Sequence, residues 1–187
     1  SRGLGDVYKR QPLGMLNAIG LENVGVEGFI QEKLPLLEEC RTHIIANILG
    51  RSIEEFKLIA RRLDALTKVS ALELNISCPN LKEGGIEFGH DPRMTFAVTK
   101  AVREATTKPI WVKLSPNVTD IQPFGRACEE AGADAISLVN TFVGMSIDVE
   151  KLRPMLSNTT GGLSGPAIRP LALRMVHEVN NAVSIPI

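Results

Sequence analysis

The sequence predicts an α/β fold built on parallel strands. Three observations carry this prediction. Short β-branched runs alternate with amphipathic stretches of helical period from about residue 43 onward. Helix-capping residues stand where those stretches begin, and a glycine where one of them ends. Polar side chains cluster just after the apolar runs. Such alternation implies right-handed βαβ units and a parallel sheet, whose strands are expected to be covered on both faces. Pattern alone leaves a doubly wound sheet and a (β/α)8 TIM barrel both open. Four strands and the opening of a fifth make an incomplete object in either case, since a barrel takes about 250 residues.

The elements follow in order. Residues 1–11, "SRGLGDVYKRQ", show no period and fit nothing that follows; they are expected to be a disordered tail or an artificial extension, leaving 12–187 as the domain. "PLGMLNAIGLENVG" is punctuated by Gly and Asn and reads as a loop. "VEGFIQEKLPLLEEC" has helical spacing weakened by Gly28 and Pro35. "THIIANIL" is a strand. "SIEEFKLIARRLDAL" is an amphipathic helix whose Ser52 and Glu55 have the spacing of a capping box. "ALELNI" is a strand, and "DPRMTFAVTKAVREAT" is a helix with Asp91 as N-cap and Pro92 in its first turn. "KPIWVKL" is a strand. "TDIQPFGRACEEAG" is a helix interrupted near Pro123 and stopped at Gly132. "DAISLVN" is a strand, followed by a glycine-rich loop, the helical "AIRPLALRMVHEVNNAV", and "SIPI", which opens another strand.

Composition narrows the function. The 44% hydrophobic and 22% charged content is that of a globular protein with a core. Lysine plus arginine balance aspartate plus glutamate at 21 each, and aromatics are 4%, so nothing points to nucleic acid. No apolar run approaches the ~20 residues of a membrane span, and Arg2, Lys9 and Arg10 precede no apolar signal core. The three cysteines, Cys40, Cys78 and Cys128, form no CxxC pair, which argues against a zinc site or a disulfide framework and for a reducing cytoplasm. No metal site is expected. His43, His90 and His177 are read as surface or packing residues.

The strand ends carry the chemistry. The first run holds Asn47; the second ends in Asn75, Ser77 and Cys78; the third holds Lys113 and Ser115; the fourth ends in Asn140 and Thr141. In parallel α/β folds these ends share the face on which active sites are built. Asn and Ser are also ordinary turn residues, so each alone has a structural reading. Lys113 lies between Val112 and Leu114 and is expected to be buried, which requires an anion: a protein carboxylate or an electron-rich ligand. Cys78 follows a strand and precedes Pro79, with amides nearby. It is either a small packing residue or a nucleophile or base; a thiol of ordinary pKa near ~8.5 is mostly protonated at neutral pH. Cys40 and Cys128 are expected to be packing residues on helices. "TTGGLSGPAIRP" leads glycines into a helix, as phosphate-cradling loops do, but matches no phosphate motif and also reads as a plain flexible loop.

Six stretches, "GMLNAIGLEN", "IIANILG", "ELNISCPNLKEGGIEFGHDP", "VKLSPNVTDI", "AGADAISLVNT" and "TTGGLSGPAIRP", occur in this order from about Gly14 to the C-terminus. Together they resemble the catalytic subunit of class 1 dihydroorotate dehydrogenases, in variants similar to type 1B. The resemblance implies a (β/α)8 barrel with FMN at its C-terminal face and oxidation of dihydroorotate to orotate in pyrimidine synthesis. It implies Cys78 as the base that removes the C5 proton. Asn75 and Asn80, with Asn17, Ala18, Ile19, Gly20 and Leu21, would hold the pyrimidine, and Asn140 and Thr141 would close its pocket. Asn47, Asn75, Lys113, Val139 and Gly165 would face the FMN. A homodimer is implied, with a partner subunit carrying FAD and a 2Fe–2S cluster and passing electrons to NAD. The family's first and last strands have no counterpart in this chain, so the chain alone is expected to be inactive and unstable.

Three rivals stand beside this reading. A flavin domain like that of dihydropyrimidine dehydrogenase would share fold and cofactor but reduce uracil. A phosphate-binding barrel isomerase or lyase would hold no flavin. A non-catalytic remnant would only associate with a partner chain.

Overall fold

The computed structural model describes residues 8–11, 13–20, 22–37, 39–76 and 88–187. Its centre is a parallel sheet of four strands in sequential order: β3 (Ile44–Ile48), β4 (Val69–Asn75), β5 (Ile110–Lys113) and β6 (Ala135–Ser137). A second sheet is antiparallel and ordered β1 (Tyr8–Gln11), β2 (Gly14–Asn17), β10 (Thr160–Ser164), β7 (Phe142–Met145). A short ribbon pairs β8 (Ile147–Asp148) with β9 (Arg153–Pro154).

Two of the three described helices between the parallel strands begin where the sequence places caps. Ser52 accepts the Glu55 N–H ahead of α2 (Ile53–Asp64), at 3.2 Å. The Glu55 carboxylate takes the Arg51 N–H instead of that of Ser52, a capping box shifted by one residue. Asp91 caps α3 (Pro92–Arg103) by accepting the Arg93 N–H at 2.9 Å. In α4 (Gln122–Glu130) Pro123 lies in the first turn, where no N–H is needed, so it starts the helix rather than interrupting it. Gly132, at φ 91°, ends that segment. Gly25–Gly28 (α1) continues through a π-turn, Phe29–Lys33, and a 3-10 turn, Pro35–Leu37, so Gly28 and Pro35 break the expected helix into short pieces. α5 (Arg169–Asn180) follows a 3-10 turn, Pro166–Ile168. After α5 the chain runs beside β6, where the Ile136 N–H donates to the Pro186 carbonyl at 2.9 Å.

One face of the parallel sheet is the core. Ile48, Leu72, Leu74, Ile76, Ile110, Val112, Leu114 and Ile136 pack there with Phe56, Val98, Val102, Phe124 and Cys128 of the helices. The other face carries Asn47, Glu73, Asn75, Lys113 and Ser137 beside the half-buried Trp111, and it is mostly polar and only partly covered. Strands buried on both faces are therefore not what the structure shows. Lys113 is half-buried on that polar face, so the expected full enclosure of its ammonium does not occur.

Several other expectations are corrected. Residues 8–11 are a paired strand rather than a disordered tail, and "GMLN" and "TGGLS", read as loops, are strands β2 and β10. Cys40 is exposed and lies outside any helix, whereas Cys128 is buried in α4. Among the described residues no helix is long and apolar enough to cross a membrane, and no cluster of metal-ligating side chains occurs.

Candidate active site

Strand register assembles the polar face. In the parallel ladder Asn47 pairs with Glu73, Asn75 with Lys113, and Lys113 with Ser137. Register partners in a sheet point to the same side, so Asn47 and Glu73 lie on one rung, continued by Trp111, and Asn75, Lys113 and Ser137 on the next rung of the same face. The Glu73 carboxylate joins the two rungs. Asn47 Nδ2 donates to Oε2 at 2.5 Å, and Ser137 Oγ donates to Oε1 at 2.6 Å. Asn75 is buried at the end of β4, at 8% exposure, beside the half-buried Lys113. Amides, an ammonium and a hydroxyl on a half-dry face can bind a planar heterocycle that carries both donors and acceptors.

A second group forms where the antiparallel sheet meets the loop after β6. Asn17 Nδ2 donates to the Gly162 carbonyl at 3.3 Å. A Cβ on Gly162 would strike the Thr141 side chain, its Cβ lying 2.8 Å away. The Thr141 N–H donates to Asn140 Oδ1 at 2.9 Å. Asn117 secures the loop: its Nδ2 donates to the Thr141 carbonyl at 3.0 Å, and its Oδ1 accepts the Val143 N–H at 2.9 Å. Asn17, Asn140 and Thr141 are thus drawn into one neighbourhood. Ala18 is half-buried beyond β2, while Ile19 and Gly20 are exposed. Val139 is half-buried two residues after β6.

Gly165 lies apart from that group. It follows β10 at φ 103°, and its α-carbon crowds Gly14 at the opposite end of β2 from Asn17, where an added Cβ would meet the Gly14 α-carbon at 2.8 Å. Leu21, Cys78 and Asn80 lie outside the described residues.

Sequence reasoning assigned no role to Glu73, Ser137 or Asn117. Period-two alternation through Glu73 and Asn75 marks the first. Nothing local marks Ser137, which meets Glu73 only through a contact 64 positions away. Asn117 sits two residues after Ser115, whose hydroxyl accepts the Asn117 N–H at 3.2 Å, a turn signal rather than a site signal.

The dihydroorotate dehydrogenase family model matches residues 7–187. The chain belongs to the dihydroorotate dehydrogenase family. It is 58% identical over 174 residues to the catalytic subunit of dihydroorotate dehydrogenase B (NAD(+)) from Geobacter sulfurreducens, covering 93% of this chain and 57% of that protein. The protein of the same name from Geotalea uraniireducens is 57% identical over 176 residues, covering 94% of this chain and 58% of the relative. That from Trichlorobacter lovleyi is 58% identical over 176 residues, with the same coverage of 94% and 58%. The chain therefore spans somewhat more than half the length of these relatives. The family match begins at residue 7, so it includes strand β1.

Proposed function

We propose that the full-length protein oxidises dihydroorotate to orotate in pyrimidine biosynthesis. The observation that carries this reading is the group of Asn47, Asn75, Lys113 and Ser137 around Glu73 on one face of four parallel strands, in a chain of this family. The four strands are read as an arc of a (β/α)8 barrel with this group on its inner wall. Glu73 on β4 meets Ser137 on β6 across β5. Two strand spacings are about 10 Å on a flat sheet, so the reach suits a face that curves inward.

The residues present fit an FMN. Its ring system offers carbonyls and an imide N–H, and the group offers amides of both polarities and an ammonium. Asn47, Asn75, Lys113, Val139 and Gly165 are assigned to hold it. When bound, FMN supplies the two-electron acceptor for the hydride that leaves C6 of the substrate. Lys113 brings a positive charge to the face where reduction would build negative charge. Cys78, which follows β4 in "ELNISCPN", is assigned as the base for the C5 proton. Asn75 and Asn80 orient the pyrimidine ring with the segment Asn17, Ala18, Ile19, Gly20 and Leu21, and Asn140 and Thr141 close over it.

The relatives' names specify a catalytic subunit and NAD(+). They support a second, electron-transfer subunit that delivers electrons to NAD; that this subunit carries FAD and a 2Fe–2S cluster, and that the assembly is a cytoplasmic homodimer of catalytic chains, belongs to the same proposal and rests on the family resemblance alone.

The test is the anaerobic flavin spectrum of the full-length protein before and after adding dihydroorotate. Bleaching is expected, and Cys78→Ala should slow it by orders of magnitude while the substrate still binds. A bound flavin that stays oxidised would move the substrate to another pyrimidine. A folded product that takes up no flavin would sink the dehydrogenase reading.

A further inference from the structure

We propose that Glu73 is a positioning residue that fixes the polarity of the Asn47 amide for flavin binding; this rests on the flavin reading above. An amide can present either a carbonyl or an NH2 group by turning about one bond. What it presents outward is set by what holds its other end. An ionised carboxylate only accepts hydrogen bonds, so Glu73 forces its partners to donate. Its two oxygens are divided between them: Oε2 takes Asn47 Nδ2 at 2.5 Å, and Oε1 takes Ser137 Oγ at 2.6 Å. Ser137 anchors the carboxylate from two strands away, so Glu73 cannot swing off Asn47 without losing a charge-assisted bond.

The consequence falls on Asn47 Oδ1. Asn47 is exposed on the polar face, and its Oδ1 takes no hydrogen bond among the described residues. With Nδ2 held toward β4, the group left for a ligand is an acceptor. An acceptor suits an N–H of the flavin ring and disfavours its carbonyls. Glu73 thereby selects how the amide reads the cofactor without touching it. The strand ladder makes the pairing durable, because Asn47 and Glu73 are direct register partners in β3 and β4.

The test uses full-length protein stripped of flavin and retitrated with FMN, followed by quenching of flavin fluorescence. Glu73→Gln keeps the side chain's size, but its amide can turn either way and so frees Asn47 to turn. It should weaken FMN about tenfold and shift the visible bands of the bound flavin. In an Asn47→Ala background the same change should alter the FMN Kd less than twofold, because the residue it acts through is gone. A swap provides rescue. In Glu73→Gln with Asn47→Asp, the glutamine donates to the aspartate, accepts from Ser137, and leaves an aspartate oxygen facing outward. This pair keeps size and net charge, so it remains readable should a single variant fail to fold, and its FMN Kd should return to within threefold of wild type. An equal loss in both backgrounds, no loss in Glu73→Gln, or a swap as weak as Asn47→Asp alone would each overturn the proposal. Failure of the unaltered protein to bind FMN would instead sink the flavin reading, and this inference with it.

Discussion

Arg103 and Asp134 are joined at 3.0 Å at the end of the parallel sheet opposite the candidate site. The guanidinium, only a quarter exposed, also donates to the Thr106 and Lys108 carbonyls at 2.6 and 2.9 Å. Asp134 in turn accepts the Ile110 N–H at 2.8 Å, so the pair ties the end of α3 to the starts of β5 and β6. In parallel α/β folds this end serves stability rather than chemistry. Arg103→Ala in the full-length protein should cost about 2 kcal/mol and lower the Tm by roughly 5 °C. Its FMN Kd should not change. Loss of flavin binding at a temperature where the variant is folded would show that the two ends of the sheet are coupled.

Asp64 closes α2 onto the same end. It accepts Thr106 Oγ1 at 2.5 Å and the Thr107 N–H at 2.8 Å. These bonds, that of the Thr106 hydroxyl foremost, hold its carboxyl below the usual range. A depressed carboxylate stabilises the fold above the unfolded value, near ~3.9, and that contribution is lost as pH falls through the lower folded value. Asp64→Asn keeps an acceptor but no charge. It should cost about 1 kcal/mol at pH 7 and less at pH 3, read as the gap in Tm between variant and wild type. A gap that stays constant over that range would mean that the charge contributes nothing.

The two described cysteines should differ sharply in reactivity. Burial pushes the Cys128 thiol up to about 12, while Cys40 is exposed. At pH 8 a thiol of that kind is ionised about one part in ten thousand, against roughly a quarter for an ordinary thiol near ~8.5. Iodoacetamide labelling of native full-length protein, mapped by peptide mass, should mark Cys40 at least a hundred times faster than Cys128. The raised thiol also stabilises the fold below its ordinary value and loses that contribution as pH rises toward about 12, so stability should fall on the alkaline side. Comparable labelling of both residues would show that α4 does not pack as described.

The parallel half of the fold is legible in the sequence because its signals are local. Ser52 and Asp91 announce α2 and α3, and each strand is a short apolar run. The antiparallel half is not. β2 and β10 are "GMLN" and "TGGLS", sequences of turn character that become strands only by pairing across 145 positions, as Asn17 and Gly162 do. The candidate site divides in the same way. Asn47, Asn75 and Lys113 can be found at strand ends, but the hub at Glu73 needs Ser137 of β6, and no local pattern joins them. Lys113 misleads because apolar neighbours in sequence point to the opposite face of a strand: Val112 and Leu114 face the helices while Lys113 does not.

The glycine pair of β10 offers a test that separates folding from binding. A Cβ on Gly161 would meet the Asn17 carbonyl oxygen and, at 2.6 Å, Leu156 Cδ1. Backbone cannot yield there without parting β10 from β2, so Gly161→Ala should destabilise the protein by about 3 kcal/mol. A Cβ on Gly162 would meet the Thr141 side chain, including its Cβ at 2.8 Å, which no side-chain rotation removes, so Thr141 must shift with its backbone. Gly162→Ala should therefore move Thr141 at some cost in stability, and the variant is read at a temperature where it is folded and binds FMN. If Thr141 closes the substrate pocket, orotate should bind several-fold more weakly, read from its perturbation of the bound flavin spectrum. An unchanged orotate Kd in a variant whose Thr141 has moved would remove that residue from the pocket and leave Asn140 to close it.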